Sequence, residues 1–285
     1  GKGPIFPMAL SLLRLRVDAE EDRKAQKADS PSGGQEGETG VRMVEVEVDL
    51  NKGIDCSVPT RPEAPEVAKD SKNSRQAQAF CLPCAIVEPV KLGGWTGRVS
   101  HGSSVNVDVL HLCPHGNGTH SECIGHITKR PFALNEIQYW KSGRLLLGNL
   151  ITICPVPFGS TKEIYNEKSQ ETDWVITKKA LVSAIKRPDR CQALMIRTIS
   201  ASGSSVVPAT PDERRQHKWS GTNPPYFTKE CAEFIGSMKR LRTLLVDLPS
   251  VDREDDGGTL ITHRAVFKLK SGVEVDSSCD ASRLI

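Results

Sequence analysis

The segment HLCPHGNGTHSECIGHITKR, residues 111–130, gathers the side chains of this chain best suited to chemistry. Five of the seven histidines (His101, His111, His115, His120 and His126) fall within 26 residues. Imidazole nitrogen and carboxylate oxygen suit zinc and similar divalent ions, and a catalytic site must leave one coordination position for water. His115, His120, Glu122 and His126 supply four such groups within twelve residues. Gly116 and Gly118 allow a tight backbone path that can turn His115 and His120 toward one point. In an extended segment His120 and Glu122 share a face, because side chains two apart point the same way. The spacing also admits a plain loop of surface histidines, or a structural zinc knuckle of Cys113, His115, His120 and Cys123. The knuckle spacing fits no standard Cys/His finger.

Strands must present these residues. VNVDVLHL places Val105, Val107 and Val109 on one face and leads directly into the histidines. VRMVEVEVDL alternates Val44, Val46 and Val48 with acids in the same way. Further strand-like runs lie at 144–154, 192–199 and 242–248, each closed by Pro, Gly or Ser. Two helices are predicted: DWVITKKALVSAIKR, stopped by Pro188, and TKECAEFIGSMKRLR. The second puts Cys231, Phe234, Ile235 and Met238 on one buried face behind Thr228 as N-cap. Strands outnumber helices, which predicts a mixed α/β domain built on a sheet or barrel with helices packed outside.

The bulk composition narrows the classes. In 285 residues, 38 Lys+Arg face 35 Asp+Glu, a net +3 that argues against a nucleic-acid binder. No apolar run approaches the roughly 20 residues that span a bilayer, so no membrane partner is expected. The N-terminal GKGPIFPMALSLLRLRVDAEE makes a poor signal peptide. Nine cysteines without a repeated spacing point to a reducing compartment, the cytoplasm, rather than a disulfide framework. Residues 18–40 are too polar to offset ordering entropy and read as a disordered linker. The expected organisation is an N-terminal segment with that linker over 1–40, a domain over 41–270 and a C-terminal tail over 271–285.

HGNGTHSECIGH resembles the metal-binding signature of the cyclase family, which includes kynurenine formamidases and isatin hydrolase-like enzymes. GGWTGRVSHGSSVNVDVLHLCPHGNGTH resembles the approach to that signature, and TLLVDLPSVDREDDGGTLITHRAVF a second block that contributes a distal His. The likeness runs from residue 44 to about 268. It implies a swivelling β/β/α-type fold with a β-barrel-like core, one or two divalent ions such as Zn or Mn, and a homo-oligomer, dimer or tetramer. Carried over by position, His120 is the second His of the signature, Glu122 stands where the family has Asp, His126 is the acid/base, and His263 is the distal ligand. The strict spacing of the first ligand falls on Gly116, with the nearest imidazole one residue earlier at His115. The family's final Glu has one counterpart beyond His263, Glu274.

The resemblance implies a metal-dependent hydrolase of a small amide or cyclic amide, arylformamidase-like, with metal ligands among His115, His120, Glu122, His263 and Glu274, and with His126 and Glu122 catalytic. Two alternatives stay open: an inactive relative that binds a partner, and a Cys/His zinc-binding interaction module. Other motifs carry less. CLPC at 81–84 runs into a strand-like segment and lacks the helix N-terminus that redox chemistry needs. No nucleophile elbow, Walker loop or dinucleotide fingerprint occurs. The acidic run from Asp252 to Asp256 lacks EF-hand spacing and is expected to be a solvated turn.

Overall fold

The computed structural model describes residues 12–19, 42–49, 52–69, 74–137, 145–201, 204–270, 272, 274–275 and 279–285. The chain divides into two units, Gly1–Cys56 and Ser57–Ile285. The first carries one antiparallel hairpin of β1 (Leu12–Ala19) and β2 (Arg42–Asp49), in register from Leu12 opposite Asp49 to Ala19 opposite Arg42. β1 precedes the stretch expected to lack order and overlaps it only at Asp18 and Ala19. Its sequence has the strand period, Leu13, Leu15 and Val17 alternating with Arg14, Arg16 and Asp18. The rest of the expected linker, residues 20–40, lies outside the described residues.

In the second unit, α1 (Pro65–Ala68) precedes an antiparallel pair of β3 (Ile86–Pro89) and β6 (Asp108–His111). The short pair β4 (Lys91–Leu92) and β5 (Trp95–Thr96) lies between them in sequence. After α2 (Pro114–Asn117), the central sheet is three parallel strands in the order β12-β10-β7: β7 is Gly148–Ile153, β10 Ala193–Thr198 and β12 Thr243–Val246. A third small sheet orders β11 (Tyr226–Phe227), β9 (Trp174–Ile176) and β8 (Val156–Pro157). The mixed α/β class is thus present, but no sheet among the described residues closes into a barrel. The expected first helix also starts later, because Trp174–Ile176 of its run is β9. β-branched Val175 and Ile176 suit a strand, and Thr177 then caps α3 (Lys178–Ala184) by accepting from Ala180 N.

The core sits between one face of the parallel sheet and its helices. Ile151 and Ile153, Leu194 and Ile196, and Leu244 point inward at the period of two, against Leu181 of α3. α4 (Pro211–Arg214) is a single turn with Thr210 and Glu213 as a capping box. α5 (Lys229–Ser237) follows Thr228, whose hydroxyl accepts from Cys231 N as the sequence pattern predicts, and it buries Cys231 and Ile235. α6 (Ile261–Phe267) was not separated from its surroundings by sequence pattern. It buries Val266 and Phe267 against α5.

α5 and α6 meet at Gly236, where a Cβ would lie 2.4 Å from Ala265 O. The helix that carries His263 can approach its neighbour this closely only over a bare Cα. We predict that Gly236→Ala forces the helices apart and costs about 1–3 kcal/mol, the usual range for overpacking. A thermal melt unchanged from wild type would contradict the tight crossing.

Candidate metal centre

Contacts on two sides hold the histidine loop before it delivers a donor. Pro114 opens α2 at a helix position that needs no amide donor. Asn117 is buried, with Oδ1 accepting from Cys113 N at 3.0 Å and Nδ2 donating to Pro83 O at 2.9 Å. On the other side Val58 N donates to Thr119 Oγ1 at 2.7 Å, and Thr119 N to Val58 O at 3.2 Å. These approaches account for the glycines. A Cβ at Gly118 would meet Thr60 Oγ1 at 2.8 Å, and one at Gly116 would meet Leu82 Cβ at 2.8 Å. Neither glycine lies in the left-handed region, so closeness rather than handedness demands them.

The five residues His115, His120, Glu122, His126 and His263 come together. Glu122 is the hub. Its Oε2 lies 3.4 Å from both His115 Nε2 and His126 Nε2, and its Oε1 lies 2.8 Å from His263 Nε2. His115 Nε2 is 3.1 Å from His126 Nδ1, and these rings stack with centroids 4.5 Å apart. The His120 ring is 4.7 Å from that of His115. Nδ1 of His120 donates to Gly118 O at 3.0 Å, which leaves its Nε2 lone pair free. Two overlapping donor groups result, His115 with His120 and Glu122, and Glu122 with His126 and His263. Within each group the ligand atoms lie within 4.8 Å of one another. Imidazoles sharing a carboxylate are the nitrogen and oxygen set that divalent transition ions take, so the residues fit such an ion.

Electrostatics favour a cation here. Burial opposes charge on Glu122, but hydrogen bonds from His115 and His263 and the nearby imidazolium charge hold its carboxyl far below the usual range. The pKa of His126 is lowered as well, which for an imidazole disfavours the charged form: burial lowers it, Glu122 resists, and the three surrounding imidazoles add to the lowering. His263 is buried, which disfavours its cation. Its hydrogen bonds to Asp252 and Glu122 outweigh that and raise it to about 10. Without an ion, positive charge therefore collects on the imidazole that stands between two carboxylates.

The acidic run is a solvated turn only in part, at the exposed Asp255. Asp252 and Asp256 are buried. Asp252 Oδ2 lies 2.5 Å from His263 Nδ1, while its two oxygens accept from Thr262 N and His263 N in the first turn of α6. A carboxylate behind an imidazole fixes its tautomer and orientation, as outer-shell partners of metal-bound histidines commonly do. Tyr165 donates to Asp252 at 2.8 Å and closes the back of the site. Asp256 accepts from Gly258 N and Leu260 N and shapes the turn into α6. The missed signal was Gly257 and Gly258, whose positive φ values turn this loop inward.

Glu274 is not brought in. It is exposed and ion-paired with Lys129 at 3.5 Å, outside both donor groups. The zinc-knuckle arrangement also fails on geometry. Cys123 is buried beside Ile137 and Leu284, its thiol donates to Phe132 O, and neither donor group contains a cysteine. Cys81 and Cys84 lie on a loop rather than at a helix start. His101 and His111 are exposed, the latter paired with Glu88.

A family model, Cyclase, described as "Putative cyclase", matches residues 54–253. The chain belongs to the cyclase family. The match covers the signature loop and Asp252 and stops short of His263, so the placement of that residue in this chain rests on the folded geometry. No curated protein matches the chain. No helix among the described residues is long and apolar enough to cross a membrane.

The geometry makes Asp252 the orienting carboxylate and leaves Glu274 as a bystander. We predict that Asp252→Asn weakens Zn²⁺ binding about 10- to 100-fold, as loss of such partners commonly does. Glu274→Gln should bind as wild type. Competition against a chromophoric chelator measures both, and equal affinity for Asp252→Asn and wild type would remove its orienting role.

Proposed function

We propose that the chain is a metal-dependent hydrolase of a small amide or cyclic amide, arylformamidase-like. The convergence of four imidazoles on the Glu122 carboxylate, with Asp252 behind the most buried of them, carries this reading. Zn or Mn would be held by Glu122 with His115, His120 and His263, which leaves His126, beside the same carboxylate, to move protons. Such an ion supplies Lewis acidity, polarising a carbonyl and lowering the pKa of water to about 7.

The chain's own groups do the rest. His263 is buried, whereas His115 and His126 keep 40% and 34% of their side chains exposed, so a substrate approaches from the His115–His126 side. His126 takes a proton from the attacking water as the new C–O bond forms. It returns that proton to the leaving nitrogen as the C–N bond breaks, which suits a group whose ordinary pKa is near 6.5. An aryl formamide then yields formate and an arylamine. Glu122 holds the imidazoles in register throughout.

A homo-oligomer in a reducing compartment completes the proposal. The exposed Val105, Val107, Val109 and Leu110 support a self-association surface, and Cys56, Cys81, Cys84, Cys113, Cys123, Cys154, Cys191 and Cys231 are thiols without a disulfide. The departure at Gly116 and the remote Glu274 favour one second reading, an inactive relative that keeps the ion. An N-formylkynurenine hydrolysis assay separates the two. Chelation should abolish activity, Zn²⁺ or Mn²⁺ should restore it, and His126→Ala should lower kcat by about 10²–10⁴-fold. Metal bound at His120 with no turnover of this or other aryl formamides and cyclic amides would favour the inactive relative.

A further inference from the structure

Glu122 is held through its backbone by one short segment. Its N–H donates to Ile285 O at 2.9 Å, and Ile285 N donates to Glu122 O at 3.1 Å. The preceding residue faces the other way: Leu284 N donates to Arg242 O and Leu244 N to Leu284 O, both at 2.9 Å, in a parallel bridge to Thr243. Leu284 and Ile285 thus join the β12 edge of the parallel sheet to the metal loop. Arg283 anchors this segment. Its guanidinium is fully buried and donates to Gly236 O and Met238 O at the end of α5 and to Val266 O of α6, with Asp280 neutralising it at 2.9 Å. α6 carries His263. Three consecutive residues therefore touch the helix that bears one proposed ligand and the backbone of another, although they supply no ligand themselves.

We propose that Ile285 is a positioning residue of the metal site, setting the affinity for a divalent ion by clasping the Glu122 backbone, with Arg283 as its anchor. The inference rests on the metal-centre reading. Glu122 is the carboxylate shared by both donor groups, and metal distances tolerate only about 0.2 Å of displacement. A loose Glu122 backbone therefore weakens both groups together. The clasp consists of main-chain bonds, so it depends on the amide at position 285 and not on the isoleucine side chain.

The test uses the full chain and Zn²⁺ as probe, with affinity read by chelator competition and stability by thermal melting. Ile285→Pro deletes the one amide that donates to Glu122 O. It should weaken Zn²⁺ binding up to about tenfold, the scale of one net hydrogen bond. Ile285→Ala keeps that amide and should bind within about twofold of wild type. Faster hydrogen exchange at the Glu122 amide in Ile285→Pro would locate the loss in the clasp. Arg283→Met should loosen the same amide; if it fails to fold, the Pro and Ala pair still decides. Zn²⁺ binding by Ile285→Pro equal to wild type, or an equal loss in Ile285→Ala, overturns the proposal. Wild type that binds no Zn²⁺, or binds it no better than His120→Ala and His263→Ala, overturns the metal-centre reading and the positioning role with it. Weak binding in those two variants with full binding in Ile285→Pro rejects the positioning role alone.

Discussion

Everything in this site depends on the cost of burying Glu122. A carboxylate taken out of water loses several kcal/mol of hydration unless charge and hydrogen bonds replace it. Here three imidazole nitrogens stand within 3.4 Å of its oxygens, and the deepest of them, on His263, is backed by a second carboxylate, Asp252. The arrangement is stable only while positive charge stays near Glu122, either as a proton on His263 or as a divalent ion among the same donors. Proton and metal are thus alternative occupants of one electrostatic well. The gathered imidazoles, which would repel each other as cations, suit the second occupant better.

The fold supplies this cluster from two directions. A loop pinned by Asn117, Thr119 and close-packed glycines delivers four donors within twelve residues. A short helix delivers the fifth, and its first turn is itself capped by the carboxylate that orients His263. Asp252 therefore does two jobs with one charge. It satisfies helix amides that have no intrahelical partner, and it fixes the imidazole on that same helix. Moving α6 moves both His263 and its support, which is why the bare Cα of Gly236 at the α5 crossing bears on the site as well as on stability.

The two parts were not equally legible in sequence. His115, His120, Glu122 and His126 are visible together because a loop of twelve residues cannot carry them far apart, and their types alone specify nitrogen and oxygen chemistry. Thr228 and the face of Cys231 and Ile235 were legible for the same reason, since capping and helical period act over a few residues. Asp252 was not legible in this way. Acidic runs usually seek water, and only two left-handed glycines and a distant tyrosine turn this one inward. Glu274 is the opposite case, a position suggested by family pattern that lies exposed beside Lys129.

Sequence by itself determined the donor types, the local loop that holds four of them, the near-neutral charge and the mixed α/β class. Tertiary structure alone decided that His263, which follows Glu122 by 141 residues, would stand 2.8 Å from it. It also decided that Asp252 would be buried behind that histidine and that Leu284 and Ile285 would join the sheet to the histidine loop. The division follows from the range of the forces. Turn geometry and side-chain chemistry act over a few residues, whereas the packing that brings α6 and the C-terminal segment to Glu122 is decided by the whole core at once.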